Sequence, residues 1–182
     1  MTVDALSYAI DGEDRLIRVD EGFYRFAEEN GWHGVNDSLG RSIWDFVAGH
    51  EVQKLQKLLV KRVRDGVRDV VLPFRCDGPE VARKMDIRIA AGPSGRAVLF
   101  SATLRTEEEH DEPQPLLDHD APRGGGFLAM CAWCDRFLVS GEWVEVEEAT
   151  RRLQLFRRSE MPVLDHSVCP QCSRQLHGAI AS

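Results

Sequence analysis

Two pairs of cysteines near the C-terminus, Cys131-Ala-Trp-Cys134 and Cys169-Pro-Gln-Cys172, constrain this chain more than any other feature. A Cys-x-x-Cys turn aims two sulfurs at one point, and two such turns complete a tetrahedral shell of four thiolates. The spacing predicts one zinc ion per chain, held by Cys131, Cys134, Cys169 and Cys172. With all four ligands supplied by the protein, no coordination position remains for a substrate, so the site reads as structural. The intervening 34 residues, 135–168, exceed the usual spacing between such pairs and must hold structure of their own.

The flanking pattern extends this reading. Gly141-Glu-Trp-Val-Glu-Val146 alternates like a strand, and residues 147–156 place Ala149, Leu153 and Phe156 on one helical face. Pro170 suits the first turn of a helix that begins at the second cysteine pair. A knuckle, strands, then a knuckle feeding a helix is the outline of a treble-clef zinc finger. A segment of this size, 126–182, cannot rely on an apolar core alone. Zinc contributes about 10–16 kcal/mol of apparent folding free energy to such modules. His166, three residues before Cys169, is expected beside the ligand shell, and His177 at the surface. A dithiol redox motif has the same spacing, but the strand–helix context it requires is missing around Cys131.

Residues 106–125 read as a linker. They hold seven acidic residues against Arg123 alone, include Pro113, Pro115 and Pro122, and run into Gly124-Gly125-Gly126. Their charge of −6 accounts for nearly all of the chain's −7. The remainder is close to neutral and lacks the basic footprint of a phosphate-gripping protein, so a nucleic-acid partner is not expected. No apolar run reaches the roughly 20 residues of a membrane helix. The first ten residues do not have the pattern of a secretory signal. A cytoplasmic location is the resulting expectation, and a reducing compartment favours metal ligation over disulfides.

Residues 1–105 show a mixed pattern. Tyr8 to Asp20 reads as two strands around the turn Asp11-Gly12-Glu13-Asp14. Phe23, Phe26 and Ala27 fall at helical spacing up to Asn30-Gly31. Between His50 and Arg64, Val52, Leu55, Leu58, Leu59 and Val63 form one apolar stripe. Three strands follow, with Leu72, Phe74 and Cys76, then Met85, Ile87 and Ile89, then Val98, Phe100, Ala102 and Leu104 on their inner faces. Asp77-Gly78-Pro79 and Gly92-Pro93-Ser94-Gly95 separate them. Connections this short require antiparallel pairing. The expectation is an α+β fold with a five-stranded antiparallel sheet and helices on one face.

The element order and several phrases resemble a PAS sensor domain. The opening hairpin Ala9 to Asp20, the helix Phe23 to Gly31 and the segment Ser42-Ile-Trp-Asp-Phe-Val-Ala-Gly49 carry the likeness, which covers residues 5–105. The Phe74-Arg-Cys-Asp-Gly-Pro79 stretch departs from the general pattern. It suggests a bacterial subfamily in which such a domain precedes a small cysteine module. The resemblance implies a cytoplasmic sensory or regulatory protein that dimerises through the PAS-like part. It also implies a space between helices and sheet, lined by Trp44, Val47, Leu55, Leu59, Phe74, Met85 and Ile87, that is either a ligand cavity or packed core. Haem held by His33 or His50 is one alternative. Flavin photochemistry is another, although Cys76 falls on a strand rather than the helix it would require.

Nucleotide-loop, nucleophile-elbow and His-Glu-x-x-His signatures are missing. The chain therefore reads as a non-enzymatic adaptor whose zinc module contacts a protein partner. The alternative is a regulator whose thiolates respond to oxidation.

Overall fold

The computed structural model describes residues 5–67, 69–93 and 96–181. Ser94 and Gly95 of the expected turn lie outside these. In the N-terminal half, β1 (Ala5–Ile10), β2 (Leu16–Val19), β3 (Asp69–Arg75), β4 (Val81–Ala91) and β5 (Val98–Glu109) form one sheet in the order β2-β1-β5-β4-β3. Every pairing is antiparallel. The α+β architecture expected from the sequence is present.

Three helices connect β2 to β3. The first, α1 (Glu21–Glu29), begins at Asp20, whose carboxylate accepts from Phe23 N at 2.8 Å and from Ser7 Oγ at 2.5 Å. The N-cap thus ties the helix start to β1. Gly22 lies so close to β1 that a Cβ there would meet Ala5 O at 2.3 Å. A short α2 (Val35–Ser38) and a 3₁₀ turn at Ile43–Asp45 lead to α3 (His50–Arg64). The last turn of α3 carries Lys61, Arg62 and Arg64, which complement its dipole. Its apolar stripe (Val52, Leu55, Leu59, Val60, Val63) is buried against Ile10, Ile89, Val98 and Phe100 of the inner sheet face. Leu59 is fully enclosed, a burial that contributes about 2 kcal/mol. Trp44 and Val47 pack at the margin of this core.

The C-terminal half carries a four-stranded sheet, β8-β7-β6-β9, formed by β6 (Arg123–Cys131), β7 (Phe137–Val139), β8 (Glu142–Val144) and β9 (Met161–Ser167). Helix α4 (Val146–Arg152) and a 3₁₀ turn at Leu155–Arg157 join β8 to β9, and α5 (Pro170–Ala181) follows the second cysteine pair. The pattern placed the strand and helix at 141–156 to within a few residues. It did not foresee β9 or its parallel pairing with β6, because parallel partners are distant in sequence.

The acidic segment requires a correction. Residues 106–109 are not tether: they continue β5, paired with β4 as far as Val81–Glu109, and Arg83 Nε contacts Glu107 Oε2 at 2.8 Å. Leu116 is fully buried in the C-terminal core with Phe137, Val146 and Leu155. Main-chain bonds from His110 N to Glu80 O (2.9 Å) and Gln114 N to Pro79 O (2.7 Å) pin the segment between them. Acid repulsion favours extension, but the Arg83–Glu107 ion pair and a buried leucine override it.

The halves share one core. Cys131, Trp133, Val168, Cys169, Cys172 and Leu176 belong to the same apolar cluster as α3 and β3. Gly49, at φ +87°, sits against the C-terminal half, and a Cβ there would lie 2.5 Å from His166 O.

Candidate metal centre and adjoining cavity

The chain turns back on itself at the first cysteine pair. Asp135 N donates to Cys131 O at 2.9 Å and Cys131 N to Arg136 O at 2.7 Å. Asp135 adopts φ +56° to close this knuckle. The second pair opens α5, where Cys172 N donates to Cys169 Sγ at 3.4 Å. Cys169 N donates to Cys131 Sγ at 3.3 Å and links the two knuckles.

This geometry brings together all four cysteines named from the sequence. Their sulfurs lie within 4.8 Å of one another. A tetrahedron with metal–sulfur bonds of about 2.3 Å has edges of about 3.8 Å, and Cys134 Sγ and Cys169 Sγ are 3.8 Å apart. Four sulfurs at this separation are able to hold a metal ion. Thiols this close share protons: hydrogen bonds from Cys134 and Cys172 pull the Cys131 thiol far below its ordinary range. The bond to Cys131 pushes Cys134 up to about 12, and bonds to Cys131 and Cys134 raise Cys172 as well. Metal ligation needs thiolates, so binding an ion there would release the retained protons. Cys131, Cys169 and Cys172 are buried, and Cys134 is half-buried.

His166 is half-buried outside the sulfur cluster, and burial lowers its pKa. His177 is exposed. Cys76 packs beside Leu6, Met85 and Ala102, where burial pushes its thiol up to about 12. That keeps it protonated and unreactive at neutral pH.

The first knuckle also meets the sheet. Trp133 Nε1 donates to Pro73 O at 2.8 Å, and Arg75 N donates to Trp133 O at 3.0 Å. These bonds cover the edge of β3, a strand whose edge position also accommodates Pro73. Asp77 N donates to Asp135 Oδ2 at 2.8 Å. Burial pushes the Asp135 carboxyl up to about 7 against the opposing effect of that amide. Burial also opposes the charge on Arg75, but the carboxylates of Asp77 and Glu145 hold its guanidinium charged. On the far side, Arg62 Nη1 donates to Ile180 O of α5 at 2.7 Å.

Two hollows border this junction. A cleft of about 650 Å³ exposes the Cys134 and Cys172 side of the cluster beside Arg136 and Gln171. A cavity of about 500 Å³ lies between the inner sheet face, α1 and the knuckle. The sheet contributes Tyr8, Met85 and Ile87, α1 contributes Phe23 and Phe26, and the knuckle contributes Trp133 and Asp135. Of the seven residues expected to line such a space, Phe74, Met85 and Ile87 do so. Leu55 and Leu59 belong to the solid core beside α3, and Trp44 and Val47 pack at its margin. His33 and His50 are exposed and do not line the cavity, so neither is placed to ligate a haem within it.

Compared with known proteins, the chain matches no family model and no curated protein. Among the described residues, no helix is long and apolar enough to cross a membrane. The sequence reading missed the roles of Asp135, Trp133 and Tyr8. Trp133, set inside the cysteine turn, was the one signal available, since a large aromatic there needs a surface to cover it.

Proposed function

We propose that this protein is a bacterial sensory or regulatory adaptor, in which a PAS-like N-terminal half receives a signal and a zinc-bound C-terminal half contacts a protein partner. The observation that carries this reading is the shared core. The knuckle that bears Cys131 and Cys134 also covers the β3 edge through Trp133, so a change in one half is felt in the other. The strand order β2-β1-β5-β4-β3 with α1 and α3 on the inner face supports the PAS resemblance. The sulfur spacing and four-thiolate donor set support zinc in a structural role. A ligand shell that the protein completes supports a structural metal rather than catalysis at the metal.

Elemental analysis of the purified chain tests the metal. One zinc per chain is expected, lost in Cys134→Ser and Cys169→Ser, and iron in its place overturns the reading. A partner that the full chain captures only when zinc is bound supports the adaptor role. Capture unaffected by chelation refutes it.

Self-association through the outer sheet face belongs to the same proposal. The exposed surface there includes Val71 and half-buried Leu99, but Arg88–Asp69 and Arg105–Asp86 ion pairs narrow the apolar band. Sedimentation of the full chain should show a dimer at micromolar concentration that Leu99→Glu weakens. A monomer refutes it.

Oxidation of the thiolates is a second reading, favoured by the cleft at Cys134. A hydroperoxide that accepts two electrons from Cys134 and Cys169 would leave as alcohol and water with two protons taken up, and the new disulfide would discharge the ion. Zinc release by stoichiometric peroxide supports it, and retention of zinc refutes it.

A further inference from the structure

We propose that the 500 Å³ cavity between sheet and knuckle binds an uncharged aromatic small molecule, and that this binding and metal binding at the four cysteines strengthen each other. The inference rests on reading the N-terminal half as a sensor and the cysteines as a metal site.

Volume and lining come first. The cavity falls within the range of roughly 300–1,000 Å³ typical of small-molecule sites. Its walls include the rings of Phe23, Phe26, Phe74 and Trp133, surfaces against which a flat ring packs in offset or edge-on geometry. Tyr8 is held in place by stacking on Phe100 at 4.6 Å and by edge contact with Phe23 at 5.7 Å.

Charge selects the class. The ionic groups at the margin already have partners. Arg75 is paired with Asp77 and Glu145, and Asp135 accepts from Asp77 N. Asn30 Nδ2 is taken by Phe26 O at 2.7 Å. A charged ligand would lose its hydration without gaining a free counter-charge. The Tyr8 hydroxyl lines the cavity and makes no hydrogen bond to any described residue, and the Gln56 and His166 side chains line it as well. Burial raises the Tyr8 pKa, so the hydroxyl stays protonated. It offers a hydrogen bond to a polar atom of a neutral ligand.

The link to the metal is topological. Met130, Ala132, Trp133 and Asp135 line the cavity and interleave in sequence with Cys131 and Cys134. An ion that fixes the sulfurs therefore fixes the cavity wall. A ligand that contacts this wall favours the metal-bound form, and the two affinities must rise by the same factor.

The probe is N-phenylnaphthylamine, an uncharged diarylamine that fluoresces in apolar surroundings, titrated into the full-length zinc-loaded chain. Saturable binding of one probe per chain is expected. The anionic analogue anilinonaphthalene sulfonate should bind more weakly. Ala102→Phe places a ring in the cavity and should abolish binding while one zinc per chain is retained. Tyr8→Phe, which keeps the packing, should weaken binding about fivefold, the effect of one hydrogen bond. Zinc affinity, measured by competition with a colorimetric chelator, should rise at saturating probe in the wild type and stay constant in Ala102→Phe. No saturable binding to the zinc-loaded chain, equal binding to Ala102→Phe, or tighter binding of the sulfonate overturns the cavity assignment. Zinc affinity unchanged or lowered by bound probe overturns the linkage. A chain that never takes up zinc is a separate result, refuting the metal reading and the linkage together while the probe titration still decides the cavity.

Discussion

Trp133 is the place to break the junction between the halves. It is 4% exposed, donates to Pro73 O at 2.8 Å, accepts from Arg75 N through its carbonyl, and lies 6.2 Å from the Phe74 ring. Trp133→Phe keeps most of the volume and removes the indole donor. Pro73 is exposed, so its carbonyl can be rehydrated and the cost should be about 1 kcal/mol. Trp133→Ala leaves a void in the shared core, at a cost of about 3–5 kcal/mol. At about 2–4 °C per kcal/mol for a chain of this size, its Tm should fall by about 6–20 °C. Differential scanning calorimetry on the metal-loaded chain measures both variants, with zinc content determined in parallel because Trp133 sits between Cys131 and Cys134. The wild type should unfold in one transition and Trp133→Ala in two, as the halves lose their common core. A single transition with Trp133→Ala within about 1 kcal/mol of wild type would refute the shared-core argument.

Three further outcomes follow from the same structure. Gly49→Ala forces a side chain to φ +87° and against His166 O; it should cost about 1–3 kcal/mol in chemical denaturation, and a neutral result would mean that the contact is not held in solution. Leu116→Ala should cost about 2–5 kcal/mol and expose residues 110–122 to limited proteolysis, whereas the wild-type segment should resist; rapid cleavage of the wild type would restore the open tether. Burial opposes ionisation of Asp20, but hydrogen bonds from Ser7 and Phe23 hold its pKa below the ordinary value. Its contribution is therefore present above the unfolded-state pKa and disappears as pH falls through the lower folded-state value. Asp20→Ala should cost about 1 kcal/mol at neutral pH, and the gap from wild type should close in acid; a gap that persists at low pH would show that the cap does not act through its charge.

The local signals in the sequence were strong wherever a residue's role depends on its near neighbours. The Cys-x-x-Cys turns identified the four sulfurs that converge, because a turn of four residues fixes where its ends point. Alternation gave the inner face of the antiparallel sheet, and the stripe on α3 gave its buried side, since each period is a property of one element. Prolines and acids in 106–125 also gave a local answer, an extended tether, and there the answer failed for residues 106–109 and 116. Strand pairing with β4 and burial of Leu116 come from residues far away in the chain, and those contacts outweigh local repulsion. The parallel β6–β9 pair, the Trp133 bond to Pro73, and a cavity shared by Tyr8 and the knuckle are likewise long-range. Nothing in the period or composition of either segment states which surface it will meet. Only packing in three dimensions placed the candidate metal site against the sheet.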